Sequence, residues 1–311
     1  MSELRFDSIN DAQLYLLKDL LENGTDVKTR GLITKEITPF FFAVTNPRKR
    51  ITTLNGRNWN FAAALGELSW HLAVSNDLEF ITSYLSGWKY YSADQKIITG
   101  SCYGKKIFNK GPSRKSQWDK VTAVLKNDHQ SRRAVIGLFD TSGDIDETIP
   151  DVSCTISLQF LVRNNCVDII VNMRSNDAIW GLPFDFFFFS YLQELMAFEL
   201  SLDVGIYHHM AGSMHIYERH YDMAEQIIGN VQHEAFEMPP VRTDETEFFL
   251  RTERKIRSGK MTFAEIEHLQ IDNYWKELLE ILFHYYLKKN HFVTNSGNLD
   301  FLKHNPYQEL V

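Results

Sequence analysis

At 311 residues the chain is long enough to bury one large core or two modest ones. Its 44% hydrophobic and 23% charged composition is that of an ordinary globular protein. A net charge of −7 argues against a general nucleic-acid binder, which carries a basic surface, yet leaves room for a local basic pocket around one phosphate.

The opening residues carry no apolar run, so no secretory leader is expected. The most apolar stretch, Trp180 to Leu200, is broken by Asp185, Gln193, Glu194 and Glu199 and is expected as a buried helix, not a membrane span. Cys102, Cys154 and Cys166 form no CxxC pair, which fits reduced thiols in a cytoplasmic protein and predicts no metal site.

In chain order, Leu14, Leu17, Leu20 and Leu21 recur at helical spacing over Asp11 to Glu22, and Asn23-Gly24 supplies a stop. Val27 to Ile37 is a glycine turn leading into a strand, with Arg30 at the tip, either a solvated surface arginine or part of a site. Pro39 to Val44 predicts another strand. Over Asn58 to Leu72 the period becomes helical, with Phe61, Leu65, Leu68 and Leu72 on one face and Glu67 at its edge beside Trp70. A carboxylate there is either paired or catalytic, because desolvating it alone is costly. Trp88, Tyr90 and Tyr91 lead to the glycine-bounded Gly100-Ser-Cys-Tyr-Gly loop.

Trp118 to Asn127 predicts a short helix. Arg132 and Arg133 then stand at the mouth of an apolar strand, pointing to opposite faces if the strand has already begun. Two readings stay open for them: a solvated pair, or forks for phosphate oxygens. Thr141 to Thr148 is a polar loop. Strands are expected at Cys154 to Val162 and Val167 to Met173, joined by an Asn164-Asn165 turn pair. A helix follows over Asp185 to Leu200, then a strand over Val204 to Met210. Thr262-Phe-Ala-Glu265 is a capping box, and Asp272 to Asn290 is strongly amphipathic.

The chemistry gathers between Ile149 and Asp185. Cys154 follows a proline turn, and the strand pair after it ends in a dense polar set: Arg174, Ser175, Asn176, Asp177, Gly181 and Asp185. A nucleophile and a polar cradle on adjacent strands suit a small, anionic, hydrogen-bonding substrate.

Cys154, Gln159-Phe160, Arg174-Ser175-x-Asp177 and Gly181-x-Pro183-Phe184-Asp185 follow one another without a gap, at a spacing that resembles the thymidylate synthase family and, within it, the pyrimidine-nucleotide hydroxymethylases. Arg30, Glu67 in Gly-Glu-Leu-Ser-Trp, Tyr103-Gly-Lys, Ser-Arg132-Arg133 and His215-Ile-Tyr217 extend the likeness over Leu14 to Asp222. The resemblance implies an α+β, three-layer fold: a mixed twisted sheet with flanking helices and a helical C-terminal extension. Residues 1–222 would be the catalytic core, and residues 223–311 the extension packed on the same domain.

The resemblance also implies a metal-free, folate-dependent one-carbon transferase. A thiolate adding to pyrimidine C6 makes C5 nucleophilic, dividing one hard step into two easier ones. Cys154 would be that nucleophile, with Arg174 lowering its pKa and holding phosphate together with Arg30 and Ser175. Asn176 would line the nucleotide. Arg132 and Arg133 would reach in from the second subunit of a homodimer. Glu67 would act as acid and base through ordered water, Tyr103 would help remove the C5 proton, and His215 and Tyr217 would hold the sugar. The co-substrate would be 5,10-methylenetetrahydrofolate, lined by Asp177, Gly181, Phe184 and Trp88. No nucleic-acid or membrane partner is implied.

Base choice turns on Asp185. Cytosine offers an N3 acceptor and an N4 amino donor, which a protonated carboxyl can meet at both atoms. The family's uracil enzymes place asparagine here and its cytidylate hydroxymethylases aspartate. Asp185 is also a candidate helix N-cap, and both roles can coexist. Thr155 after the cysteine, where synthases carry histidine, leans the same way. The resemblance therefore points to CMP or dCMP hydroxymethylation, with thymidylate synthesis from dUMP as the alternative and an inactive nucleotide-binding paralogue as a third reading. The usual synthase C-terminus is not recognisable, and Trp180 stands where the family is aliphatic.

Overall fold

The chain's period-2 alternation between residues 155 and 173 sets the architecture, because it buries one face of a long hairpin and leaves the other half-open. The computed structural model describes residues 4–112, 114–143, 145, 148–230, 234–292, 302 and 304–310. In order, its elements are β1 (Leu4–Phe6), α1 (Ile9–Asn23), β2 (Thr25–Thr29), β3 (Leu32–Ile37), β4 (Phe40–Val44), α2 (Phe61–Leu72), α3 (Leu78–Thr82), α4 (Tyr103–Phe108), α5 (Gln117–Asn127), β5 (Val135–Gly137), β6 (Thr155–Arg163), β7 (Cys166–Met173), β8 (Asn176–Asp177), α6 (Gly181–Leu200), β9 (Asp203–Ala211), β10 (Met214–Tyr217), α7 (Tyr221–Gly229), α8 (Thr246–Arg257), α9 (Phe263–Glu267) and α10 (Asn273–Lys289). The polar loop expected at Thr141 to Thr148 falls partly outside the described residues.

The chain forms two compact units, Met1–Trp59 with Lys106–Pro240, and Asn60–Lys105 with Val241–Val311. The first holds a mixed six-stranded sheet ordered β1-β4-β9-β7-β6-β5 and a four-stranded sheet ordered β2-β3-β10-β8. Sheets flanked by helices make this the α+β class expected from the sequence. Leu158, Phe160, Val162, Val167, Ile169, Val171 and Met173 form the buried face of β6 and β7. α6 packs on β7 and β9 and is buried on nearly all sides, including Phe186, Phe187, Phe188 and Phe189. The buried Arg50 guanidinium pairs with Glu194 of α6. Turns follow their sequence: Asn164 and Asn165 both take positive φ in the β6–β7 hairpin, and Arg30 and Gly31 do so between β2 and β3.

The second unit is helical. Residues 60–105 join the C-terminal helices here because α2 is apolar almost all round and lays that surface on α10. Asn60, Asp272 and Thr262 cap α2, α10 and α9 with their side chains, the last as the expected capping box with Glu265. Tyr84 is wedged over Gly66, where an added Cβ would stand 2.1 Å from its ring. Its hydroxyl donates to Glu253 of α8 at 2.7 Å, and its ring stacks on Tyr285 of α10.

Candidate functional site

A chain of backbone hydrogen bonds builds the site where strands leave the large sheet. Cys154 lies in a bend before β6, and a register irregularity between Thr155 and Ser157 follows it. Arg174, just past β7, donates its amide to the Cys154 carbonyl at 2.9 Å. Gly212 and Ser213, between β9 and β10, donate to the carbonyls of Met173 and Arg174. Gly212 suits the close approach there, since a Cβ would sit a tight 3.1 Å from the Arg174 carbonyl oxygen. The Asn176 amide closes the set on the Ser213 carbonyl. Three strand ends thus place Cys154, Arg174 and Asn176 together.

The Arg174 side chain is exposed but held: Nε donates to Ser153 O at 2.9 Å, and the terminal nitrogen reaches Val152 O at 3.2 Å and Cys154 Sγ at 3.8 Å. Burial pushes the Cys154 thiol up to about 11; Arg174 and Arg30 pull it down, and Asp185 and Asp151 push it further up. Arg174 acts in the expected direction, but desolvation outweighs it and the net shift is upward. The electrostatic influence of Asp185 on this thiol places the two groups in one environment.

The start of α6 supplies the rest. Asp177 Oδ1 accepts from the amides of Ile179 at 2.7 Å and Trp180 at 3.1 Å, fixing the turn that begins the helix at Gly181. Pro183 falls in the first turn, where its missing N–H has no intrahelical partner to lose. Asp185 therefore lies one turn inside α6 and is not its N-cap; Trp180 holds that position without a side-chain cap. The Asp185 carboxyl accepts from Asn176 Nδ2 at 2.8 Å. Burial pushes it up to about 7, Asn176 pulls it down and Asp177 pushes it up. Gly181 leaves the room: a Cβ there would stand 3.0 Å from Asn176 Nδ2 and 3.4 Å from Asp185 Oδ2.

His215 and Tyr217 lie on β10, with rings edge to face at 5.2 Å, and β10 pairs with β8 so that His215 stands beside Asp177. Burial lowers the His215 pKa against the pull of Asp177 and Glu36. Ser175 is half-buried between Arg174 and Asn176, and Phe184 meets Trp59 edge-on at 5.7 Å. Arg30 stands at the exposed hairpin tip. Arg132 and Arg133 are both exposed and precede β5, which begins only at Val135. The alternation expected of them within a strand therefore does not apply.

In the second unit, Glu67 is the one residue between Phe61 and His71 that is not fully buried. Tyr103 is buried and stacked on His71 at 5.9 Å, and Trp88 is half-buried against Trp70. Sequence reasoning missed two groups near α6. Trp180 is exposed, with the Arg57 guanidinium 4.4 Å over its ring and its Nε1 donating to His220 at 2.9 Å. Burial lowers Arg57 to about 10. Behind Asp185 lie Tyr207 and His209, fully buried on β9 and 3.3 Å apart through Oη and Nδ1. A period-2 reading of β9 puts both on the core face, and that was the available signal.

Comparison with known proteins gives consistent matches. A family model described as thymidylate synthase matches residues 12–278. The chain is 30% identical over 224 residues to the deoxyuridylate hydroxymethyltransferase of Bacillus phage SP01, a match covering 68% of this chain and 58% of that enzyme, less than two thirds of its length. It is 27% identical over 220 residues to the thymidylate synthase of Buchnera aphidicola subsp. Baizongia pistaciae, covering 69% and 82%. The solved thymidylate synthase A of Bacillus subtilis shares the fold, with a TM-score of 0.65 at 24% identity over 78% of this chain and 92% of that one.

Proposed function

The chain belongs to the thymidylate synthase family, and from that membership we propose that it is a pyrimidine-nucleotide hydroxymethyltransferase acting at C5 of CMP or dCMP. The co-substrate, 5,10-methylenetetrahydrofolate, supplies the one-carbon unit. The observation that carries the choice of base is Asp185, a carboxyl whose burial raises its pKa to about 7, so a large fraction is neutral near neutral pH. A neutral carboxyl donates from one oxygen and accepts at the other, matching cytosine N3 and the N4 amino group.

Cys154 adds to C6 as its thiolate. Arg174, with Arg30 and Ser175, takes the phosphate, and its hold on the Ser153 and Val152 carbonyls keeps the fork beside the sulfur. His215 and Tyr217 hydrogen-bond the sugar. Glu67 exchanges protons through water, and Tyr103 assists removal of the C5 proton. For the folate, Asp177 keeps Oδ2 available while Oδ1 holds the turn, Gly181 keeps the approach low, and Phe184 and Trp88 offer half-buried ring faces. These residue types fit a flat, hydrogen-bonding pterin. Arg132 and Arg133, exposed just ahead of the edge strand β5, complete a partner's phosphate site in a homodimer.

The similarity to the phage deoxyuridylate hydroxymethyltransferase favours a second reading, hydroxymethylation of dUMP. Incubation with dCMP, CMP and dUMP, each with methylenetetrahydrofolate, followed by product mass, decides among them. Hydroxymethylated cytidylate is the expected product; conversion of dUMP alone rejects the cytidylate assignment, and a methyl product rejects the hydroxymethyl one.

A further inference from the structure

Asn176 is almost fully buried, so its amide is not free to swing into solvent. It donates Nδ2–H to Asp185 Oδ2 at 2.8 Å, while its own Oδ1 is buried without a hydrogen-bond partner among the described residues. A buried acceptor left open is uncommon and calls for an explanation. The residue is fixed from behind as well: its backbone amide is bonded to Ser213 O, and β8 pairs with β10. Gly181 offers no side chain that would press the amide away.

We infer that Asn176 is a positioning residue that makes Asp185 one-sided, favouring Oδ2 as the acceptor and Oδ1 as the oxygen that carries and presents a proton. A carboxyl without this neighbour is ambidextrous. With the proton on one oxygen it suits cytosine; with the proton on the other it suits uracil, whose N3–H donates and whose O4 accepts. A protonated carboxyl oxygen can still accept, but less well than the carbonyl oxygen, so an N–H donated to Oδ2 favours the form with the proton on Oδ1. The lock therefore disfavours one of the two patterns. With Oδ1 toward N3 and Oδ2 toward the C4 substituent, the favoured pattern is that of cytosine, and uracil meets hydrogen against hydrogen at N3 and oxygen against oxygen at C4. The sign of the preference rests on the cytidylate reading above; the existence of the lock does not.

Other groups bear on the same carboxyl: Asp177 from β8, Tyr207 from β9 and Cys154 ahead of β6. Each changes how readily Asp185 is protonated. Among the described residues Asn176, through a directed bond, is the one that biases which oxygen is protonated.

The test compares full-length wild type with Asn176→Ala by equilibrium binding of dCMP and dUMP from pH 5 to 9, and by carbon-13 titration of the Asp185 carboxyl. The expected result is a dCMP/dUMP affinity ratio that falls at least tenfold toward unity in the variant, through gain of the disfavoured base. The carboxyl titration should move to higher pH, because a donor to the ionised form is lost. Should Asn176→Ala fold poorly, Gly181→Ala displaces the same amide by contact and should move ratio and titration the same way. A wild type preferring dUMP, with a ratio that collapses in the variant, keeps the lock and sinks the cytidylate reading. An unchanged ratio and an unchanged titration overturn the lock whichever base is preferred. If neither nucleotide binds, the carboxyl titration alone decides: a shift supports the lock and its absence rejects it.

Discussion

Replacing Asp185 by asparagine should make the protein more stable, by an amount that grows as pH rises from about 4 to about 7 and is constant above that. The carboxyl rises from 3.8 to about 7 on folding, because burial disfavours its charge more than Asn176 favours it. The folded state then binds this proton more tightly than the unfolded chain, so stability is fully present below about pH 4 and is lost as pH rises through about 7. At about 1.4 kcal/mol per pKa unit, that shift amounts to about 4 kcal/mol lost in full above it. Asp185→Asn keeps an acceptor for Asn176 Nδ2 and carries no charge, so it escapes the loss. Urea unfolding of both proteins from pH 5 to 8.5 gives the comparison, and the difference between the two curves removes every other titrating group. The variant should be ahead of wild type by about 2 kcal/mol at pH 5 and by about 4 kcal/mol at pH 8.5, so the gap should widen across the scan. Parallel curves would show that Asp185 ionises freely in the folded protein, and with them would go the neutral carboxyl on which the choice of base depends.

Alkylation of Cys154 by iodoacetamide, followed by intact mass, should accelerate steadily with pH toward about 11, and Arg174→Ala should slow it at pH 8 by removing a cation that favours the thiolate; a rate independent of pH would mean a thiol already ionised. Gly66→Ala should lower thermal stability by about 2 kcal/mol or more, since its Cβ would meet Tyr84 ring carbons at 2.1–2.5 Å while Glu253 and Tyr285 hold that ring in place; an unchanged Tm would show that the ring moves freely. Glu194→Leu should cost about 3–5 kcal/mol by stranding the Arg50 guanidinium in the core. Adding Arg50→Met should recover much of it in denaturant melts, and a double variant no better than the single would place the loss elsewhere.

How much was legible follows from what kind of signal each feature leaves. Helices α1, α2, α5 and α10 and strands β6, β7 and β9 write their period directly into the chain, so their existence and sidedness came out of the sequence. The Asn164-Asn165 and Arg30-Gly31 turns announce positive φ through residue type. Two features were invisible for a physical reason. Where α6 starts is decided by Asp177 folding back onto two amides, a local hydrogen bond with no periodic trace, and that start converts Asp185 from a candidate cap into a residue one turn inside the helix. The balance at Cys154 is likewise a difference of opposed terms. Arg174 twenty residues on is readable and its sign was right, but desolvation depends on how many atoms surround the sulfur, which only packing sets. The same packing pushes the Asp185 carboxyl up and the Cys154 thiol up together, and these have opposite consequences for the proposed reaction, which would need one group neutral and the other ionised. In that proposal nucleotide binding would act on the two unequally: ring nitrogens would satisfy the neutral carboxyl, while a dianionic phosphate would offset the arginine charge at the thiol. On that reasoning the pH dependence of inactivation at Cys154 should move upward when phosphate or nucleotide is bound, and the sulfur's reactivity toward C6 must come from proximity and orientation over the ring more than from a resting thiolate.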